Sequence, residues 1–159
     1  MSGNGKAAST ADMPGNGAGN ADRHTQREVW NGRGQRIYMQ EVGTRDGLQI
    51  EAAFVPTADK IALVDALSRS GVAKIEVTAF VSPQAIPALR DADEVLRGIQ
   101  RNRDVCYTAL VPNLRGAERA IDARVDEINT VMSATQTHNL SNLRMTREQS
   151  FAALERAIA

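Results

Sequence analysis

The stretch Ile37-Tyr-Met-Gln-Glu-Val-Gly-Thr-Arg-Asp-Gly-Leu-Gln-Ile-Glu51 begins as a β-type run, Ile37–Val42, and ends as a polar loop with Arg45 and Asp46 flanked by Gly43 and Gly47. The same succession recurs. Runs of apolar and β-branched residues lie at Lys74–Thr78, Val105–Val111 and Glu127–Met132, at intervals of roughly 25 to 35 residues, each closing in a polar loop. Helical patterns fill the intervals. Thr57 is placed to cap a helix with Ile61, Val64 and Leu67 on one face and Gly71 as its stop. Ser82 followed by Pro83 opens a second, which carries Val95, Leu96 and Ile99 towards its end. Asn113 caps a third, with Ala117, Ala120 and Ile121 inward, or its amide contacts a substrate. Thr146 and Gln149 make a capping box for the last, whose Phe151, Leu154 and Ile158 recur at i, i+3 and i+7.

Successive strand–helix–strand units cross over right-handed and build a parallel sheet, so the class is α/β. Periodicity leaves two architectures open. A doubly wound sheet closes with four or five strands in this length, whereas a (β/α)8 barrel takes about 250 residues, roughly twice the length remaining after position 35. Both gather chemistry at the C-terminal ends of the strands.

Composition narrows the partners. Nineteen Lys plus Arg balance nineteen Asp plus Glu, which supplies no bulk charge for nucleic acid or an anionic membrane. No apolar run reaches the roughly 20 residues of a membrane span. Apolar residues make up 42% and aromatics 4%, so the core is built from Ala, Val, Leu and Ile. The single cysteine, Cys106, excludes an internal disulfide and reads as a small buried residue of the third strand. Residues 1–35 hold seven of the twelve glycines and are expected to be a disordered tail, leaving 36–159 as the folded unit. That tail lacks the pattern of a signal or transit peptide, which makes the cytoplasm the expected compartment. Its Gly15–Asn20 segment has no strand before it and no helix after it, as a phosphate loop requires.

The strand ends carry the candidate chemistry. Arg45 and Asp46 are neighbours that an extended chain would point to opposite faces and a turn would bring to one mouth. There the carboxylate suits Mg2+ or Mn2+ and the guanidinium suits an enolate or carboxylate. The alternative is an ordinary turn with a backbone-capping Asp and a surface Arg. Glu76 sits inside an apolar run, an expensive place for a carboxylate that is neither paired nor used. It shares strand parity with Thr78 and with Lys74, a possible ion-pair partner. His138 lies after the fourth strand as a loop residue or an isolated metal ligand.

Taken in order and spacing, EVGTRDGLQIE (41–51), IEVTAFVSP (75–83), LVPN (110–113) and SATQTHN (133–139) resemble the N-terminal half of the 3-hydroxy-3-methylglutaryl-CoA lyase family, metal-dependent (β/α)8 TIM-barrel enzymes. The resemblance covers Ile37 to Ala159 and departs from the family's usual residues at Thr44, Ile50, Ala79, Gln84 and Thr135-Gln136. It implies cleavage of a 3-hydroxyacyl-CoA to acetyl-CoA and a keto acid. It further implies Asp46 as ligand to Mg2+ or Mn2+, Arg45 as the enolate-stabilising and substrate-binding cation, Glu76 as a catalytic acidic residue, and Gln49 as a polar substrate contact. The family's His-x-His pair, late Asn and cysteine loop have no counterpart in this sequence. The expectation is therefore about four βα units of a half-barrel, inactive alone, that belongs with a missing C-terminal half. The alternatives are a non-catalytic module that pairs with itself as a homodimer or with a full-length relative, and a related lyase acting on another acyl group.

Overall fold

The computed structural model describes residues 37–158, and the expected glycine-rich tail of residues 1–35 lies outside them. Four parallel strands form one sheet in the order β1 (Gln40–Glu41), β2 (Lys74–Ala79), β3 (Cys106–Leu110) and β4 (Glu127–Asn129). A helical connection comes after each strand. These are α1 (Thr57–Ser68), α2 (Ala92–Gly98), α3 (Leu114–Asp122) and, after β4, the pair α4 (Gln136–Leu143) and α5 (Arg147–Ile158). Sequential order in an all-parallel sheet is the topology of consecutive βα units, here four of a (β/α)8 barrel. No helix among the described residues is long and apolar enough to cross a membrane.

The core lies between the sheet and its helices. Ile75, Val77, Tyr107, Ala109 and Val111 meet Val64 of α1, Val95 and Leu96 of α2, and Ala117 and Ala120 of α3, all at most 3% exposed. Strands covered on both faces read as nearly continuous apolar runs, which is why β2 and β3 were legible and why polar residues in them stand out. Gly116 faces the Phe80 carbonyl so closely that a Cβ would approach it to 2.7 Å. That glycine lets α3 settle on the end of β2.

Several expected boundaries move. β1 and β4, the outer strands, keep only two and three paired residues of the six expected in each. Thr57 does not cap α1. Pro56 holds that position and the Thr57 hydroxyl donates to Asp91 Oδ2 at 2.7 Å, beside the buried Lys60–Asp91 ion pair at 2.6 Å. Ser82 opens a turn rather than a helix: Pro87 forces Ile86 into extended backbone and starts a short 3-10 turn, so α2 begins only at Ala92. Asn113 caps α3, its Oδ1 accepting from Gly116 N at 3.0 Å, yet Ile121 points outward and is 72% exposed.

The Thr146–Gln149 capping box forms in both directions, at 2.9 and 3.2 Å. The face of α5 differs from the expected one. Asn139, wholly buried, donates to Ser150 Oγ at 2.7 Å and fixes Ser150 inward, which turns Phe151 and Ile158 to the surface. Asn139 also accepts from Ser133 N and donates to the carbonyls of Met145 and Thr146, stitching the β4 loop to α5. Helix α4 replaces the expected loop. Thr135 caps it and His138 lies exposed in its first turn.

Candidate active site

Leaving β1, the chain makes a single π-helical turn, Gly43–Gly47, with the amides of Arg45 and Asp46 both bonded to the Val42 carbonyl at 3.0 and 2.7 Å. This wide turn brings two neighbouring side chains to one side. Arg45 Nε donates to Glu76 Oε1 at 2.5 Å and its Nη1 donates to Asp46 Oδ1 at 2.8 Å. Neither flanking glycine needs a positive φ. Gly43 is required by proximity, since its amide donates to Glu41 Oε1 at 2.6 Å and a Cβ would crowd that oxygen at 2.9 Å.

Glu76 anchors the cluster from the barrel interior. Its side chain is 6% exposed, and its Oε2 accepts from Gln40 Nε2 at 3.2 Å and Asn129 Nδ2 at 2.9 Å. Both amides also reach Thr108 Oγ1, at 3.2 and 3.4 Å. One residue from each strand thus joins a single polar row across the inner face. The β2–β3 register shifts between Glu76 and Thr78, and at that irregularity the buried Thr44 hydroxyl donates to the Glu76 carbonyl at 2.7 Å. The turn and the strand are therefore joined twice, through the Glu76 carboxylate and through its backbone.

Lys74 does not pair with Glu76. It reaches across to Glu127 of β4 at 2.6 Å, a second interior rung. Cys106 sits on that rung, 2% exposed, and burial together with the Glu127 carboxylate pushes its thiol up to about 11. Such a thiol is a packed interior group and not a nucleophile.

Asp46 lies outermost, its side chain 63% exposed at the mouth. As a hard oxygen donor it fits a divalent cation as one ligand. Among the described residues no group of three or more His, Cys, Asp and Glu could hold a metal ion. Gln49 stands apart from the cluster. It lines a pocket of about 450 Å³ between the loops after β1 and β2, with Phe54, Ile86 and Arg90, and its Oε1 is buried without a hydrogen-bond partner. A larger groove of about 1060 Å³ runs between the loop after β2 and α3, lined by Ser82, Gln84, Arg115, Arg119 and Arg156 among others.

Arg45, Asp46 and Glu76, which the family resemblance implied as site residues, thus lie together in space. Gln40, Thr108 and Asn129 complete the row and were missed. Their one signal was polar character inside β-type runs, which Glu76 showed more strongly because it is charged. Residues 36–159 match the HMGL-like family.

The chain belongs to the HMGL-like family. Hydroxymethylglutaryl-CoA lyase YngG of Bacillus subtilis is 46% identical over 121 residues, which cover 76% of this chain and 40% of that protein. The cytoplasmic 3-hydroxy-3-methylglutaryl-CoA lyase of Danio rerio is 40% identical over 123 residues, covering 77% and 37%. A mitochondrial relative from Rattus norvegicus is 41% identical over 117 residues, covering 74% of this chain and 36% of its own. The solved lyase of Acinetobacter baumannii, in complex with coenzyme A and 3-methylmalate, superposes with a TM-score of 0.75 at 53% identity, covering 77% of this chain and 40% of that one. The chain spans about two fifths of the length of the relatives it matches.

Proposed function

We propose that this HMGL-like chain supplies the first half of a hydroxymethylglutaryl-CoA lyase site and does not turn over alone. The observation that carries the reading is the Arg45 bridge, which ties the interior Glu76 to the mouth-facing Asp46 at the end of β1.

In the proposed reaction a general base takes the proton of the substrate's C3 hydroxyl, the O–H pair becomes the new C=O of the keto acid, the C2–C3 bond breaks with its pair passing to the thioester as an enolate, and a proton returned to C2 gives acetyl-CoA. Arg45 keeps part of its guanidinium exposed at the mouth and would hold that developing negative charge. Glu76, with three donors upon it, orients Arg45 rather than accepting a proton. Asp46 would hold a divalent cation, Mg2+ or Mn2+, as one ligand among several; when bound, the cation supplies Lewis acidity to the substrate's oxygens. Gln49 offers its unpartnered carbonyl to a donor on the substrate. The groove lined by Arg115 and Arg156 would take the anionic coenzyme A portion, although Glu118 also lines it and Arg119 there is paired with Asp93. A cytoplasmic setting is part of the proposal and is supported by the name of the Danio rerio relative, with organelle fractionation as its test.

The direct experiment mixes the purified chain with the C-terminal part of the Bacillus subtilis lyase lacking the matched residues. Acetyl-CoA release from 3-hydroxy-3-methylglutaryl-CoA is expected from the mixture with Mn2+ and from neither part alone. Turnover by this chain alone, abolished by Asp46→Ala, would contradict the half-site reading.

A further inference from the structure

The geometry points to Thr108 as a positioning residue for the lyase reaction proposed above, acting on Arg45 through Gln40, Asn129 and Glu76. Thr108 is wholly buried in β3, and among the described residues its hydroxyl bonds to neither Arg45 nor Asp46. Its oxygen accepts from Gln40 Nε2 at 3.2 Å and from Asn129 Nδ2 at 3.4 Å. The same two amides donate to Glu76 Oε2 at 3.2 and 2.9 Å. Two donors and two acceptors therefore close a ring, to which each of the four strands contributes one residue.

The terminal torsion of a glutamate is broad, so its carboxylate turns freely unless both oxygens are held. Here Oε2 is held by amides from β1 and β4, and Oε1 is left to receive Arg45 Nε. Thr108 supplies the other anchor of each amide. An NH2 group carries two hydrogens, and placing one on Oε2 and the other on Thr108 Oγ1 fixes the amide plane, which a single contact does not. Arg45 is held in turn at Nε by Glu76 and at Nη1 by Asp46, so the guanidinium plane is set. Among the described residues Nη2 bonds to nothing, and its two hydrogens are the donors left for the developing enolate. Removing the Thr108 hydroxyl keeps every charge in place and frees both amides, and through them the carboxylate and the aim of Arg45. A misplacement of about 1 Å at a reacting group costs up to about 10²-fold in rate.

Two measurements test this. In the mixture with an excess of the C-terminal part of the Bacillus subtilis lyase, Thr108→Val should lower kcat by about tenfold to a hundredfold and leave KM within about twofold. Thr108→Ser keeps the oxygen and should recover most of that rate, which a role in packing alone does not predict. In the 159-residue chain without a partner, the Arg45 Nε proton is assigned by nuclear magnetic resonance from its absence in Arg45→Lys. It should exchange with water about fivefold faster or more in Thr108→Val, and near the native rate in Thr108→Ser. Gln40→Ala opens the same ring at an exposed position and should show both effects even where Thr108→Val fails to fold. Native exchange at Arg45 in the folded variants, or a kcat that Thr108→Ser does not restore, would overturn the proposal. An inactive mixture with the native chain counts against the lyase reading, and exchange at Arg45 then decides the positioning by itself.

Discussion

Replacing Glu76 by Gln keeps the volume of the side chain and removes one acceptor oxygen, which makes the substitution a sharp probe of the interior row. In the native arrangement Oε1 receives Arg45 and Oε2 receives Gln40 and Asn129. The amide has only one oxygen. If it faces Arg45, its NH2 group points at the amides of Gln40 and Asn129; turned over, it faces Asn129 and confronts the guanidinium. A donor left without an acceptor at a buried site costs about 1–3 kcal/mol. Thr108 Oγ1, within 3.2 Å of Gln40, shelters one of the two amides. Breaking a buried ion pair from one side costs about 3–5 kcal/mol. Arg45 retains Asp46 and is partly exposed, which discounts that figure to about 3 kcal/mol for the whole change. With a urea dependence of about 1.5 kcal/mol per molar, the unfolding midpoint should fall by about 2 M. Adding Asn129→Leu to Glu76→Gln should then cost at least about 1 kcal/mol less than Asn129→Leu does in the native chain. A midpoint shift below about 0.3 M, or strict additivity of the two changes, would show that Glu76 does not join Arg45, Gln40 and Asn129 in one coupled row.

Other consequences rest on the same geometry. Lys60→Met alone should destabilise by about 3–5 kcal/mol by leaving Asp91 buried and uncompensated, and Asp91→Leu in the same chain should recover most of it in urea unfolding. Gly116→Ala should cost about 1–3 kcal/mol, because the added Cβ meets backbone at the Phe80 carbonyl and not a flexible side chain. Asn113→Ala should cost about 1 kcal/mol through loss of the α3 cap, measured the same way. The Cys106 thiol titrates at about 11 when folded against an ordinary 9.0, so the unfolded chain gives up its proton first. Stability from this group is complete below pH 9 and is lost as pH rises towards 11, and thiol alkylation should stay slow in that window until the chain unfolds.

The parallel sheet was legible because β2 and β3 are buried along most of their length and therefore read as nearly continuous apolar and β-branched runs. The outer strands were overestimated for the complementary reason: composition reports a tendency to extend, while pairing in β1 and β4 depends on a neighbour present on one side only. Periodicity identified α5 but misjudged its inward face. Phe151 is more apolar than Ser150, yet one buried amide on a neighbouring helix decided which of them turned inward. Glu76 was conspicuous as a charge inside a largely apolar run, and Arg45 with Asp46 as charges between two glycines at a strand end; the contact of Arg45 with Glu76 was not legible, because it depends on the wide turn after β1. Gln40 and Asn129 were hidden because a neutral amide in a strand is unremarkable until the register places it across from Glu76. Gln49 adjoined the motif in sequence, and the loop carried it to a separate pocket.

The most direct test grafts residues 37–158 of this chain onto the Bacillus subtilis lyase in place of its matched segment and measures acetyl-CoA release with saturating Mn2+. Joining the halves covalently removes association from the readout, so activity reports whether these strand ends form a working half-site. A folded, active chimera is expected, in which Asp46→Ala and Arg45→Lys each lower kcat by about 10²-fold or more, the scale of losing a transition-state contact. A folded chimera without lyase activity, or one whose kcat ignores both substitutions, would contradict the half-site reading.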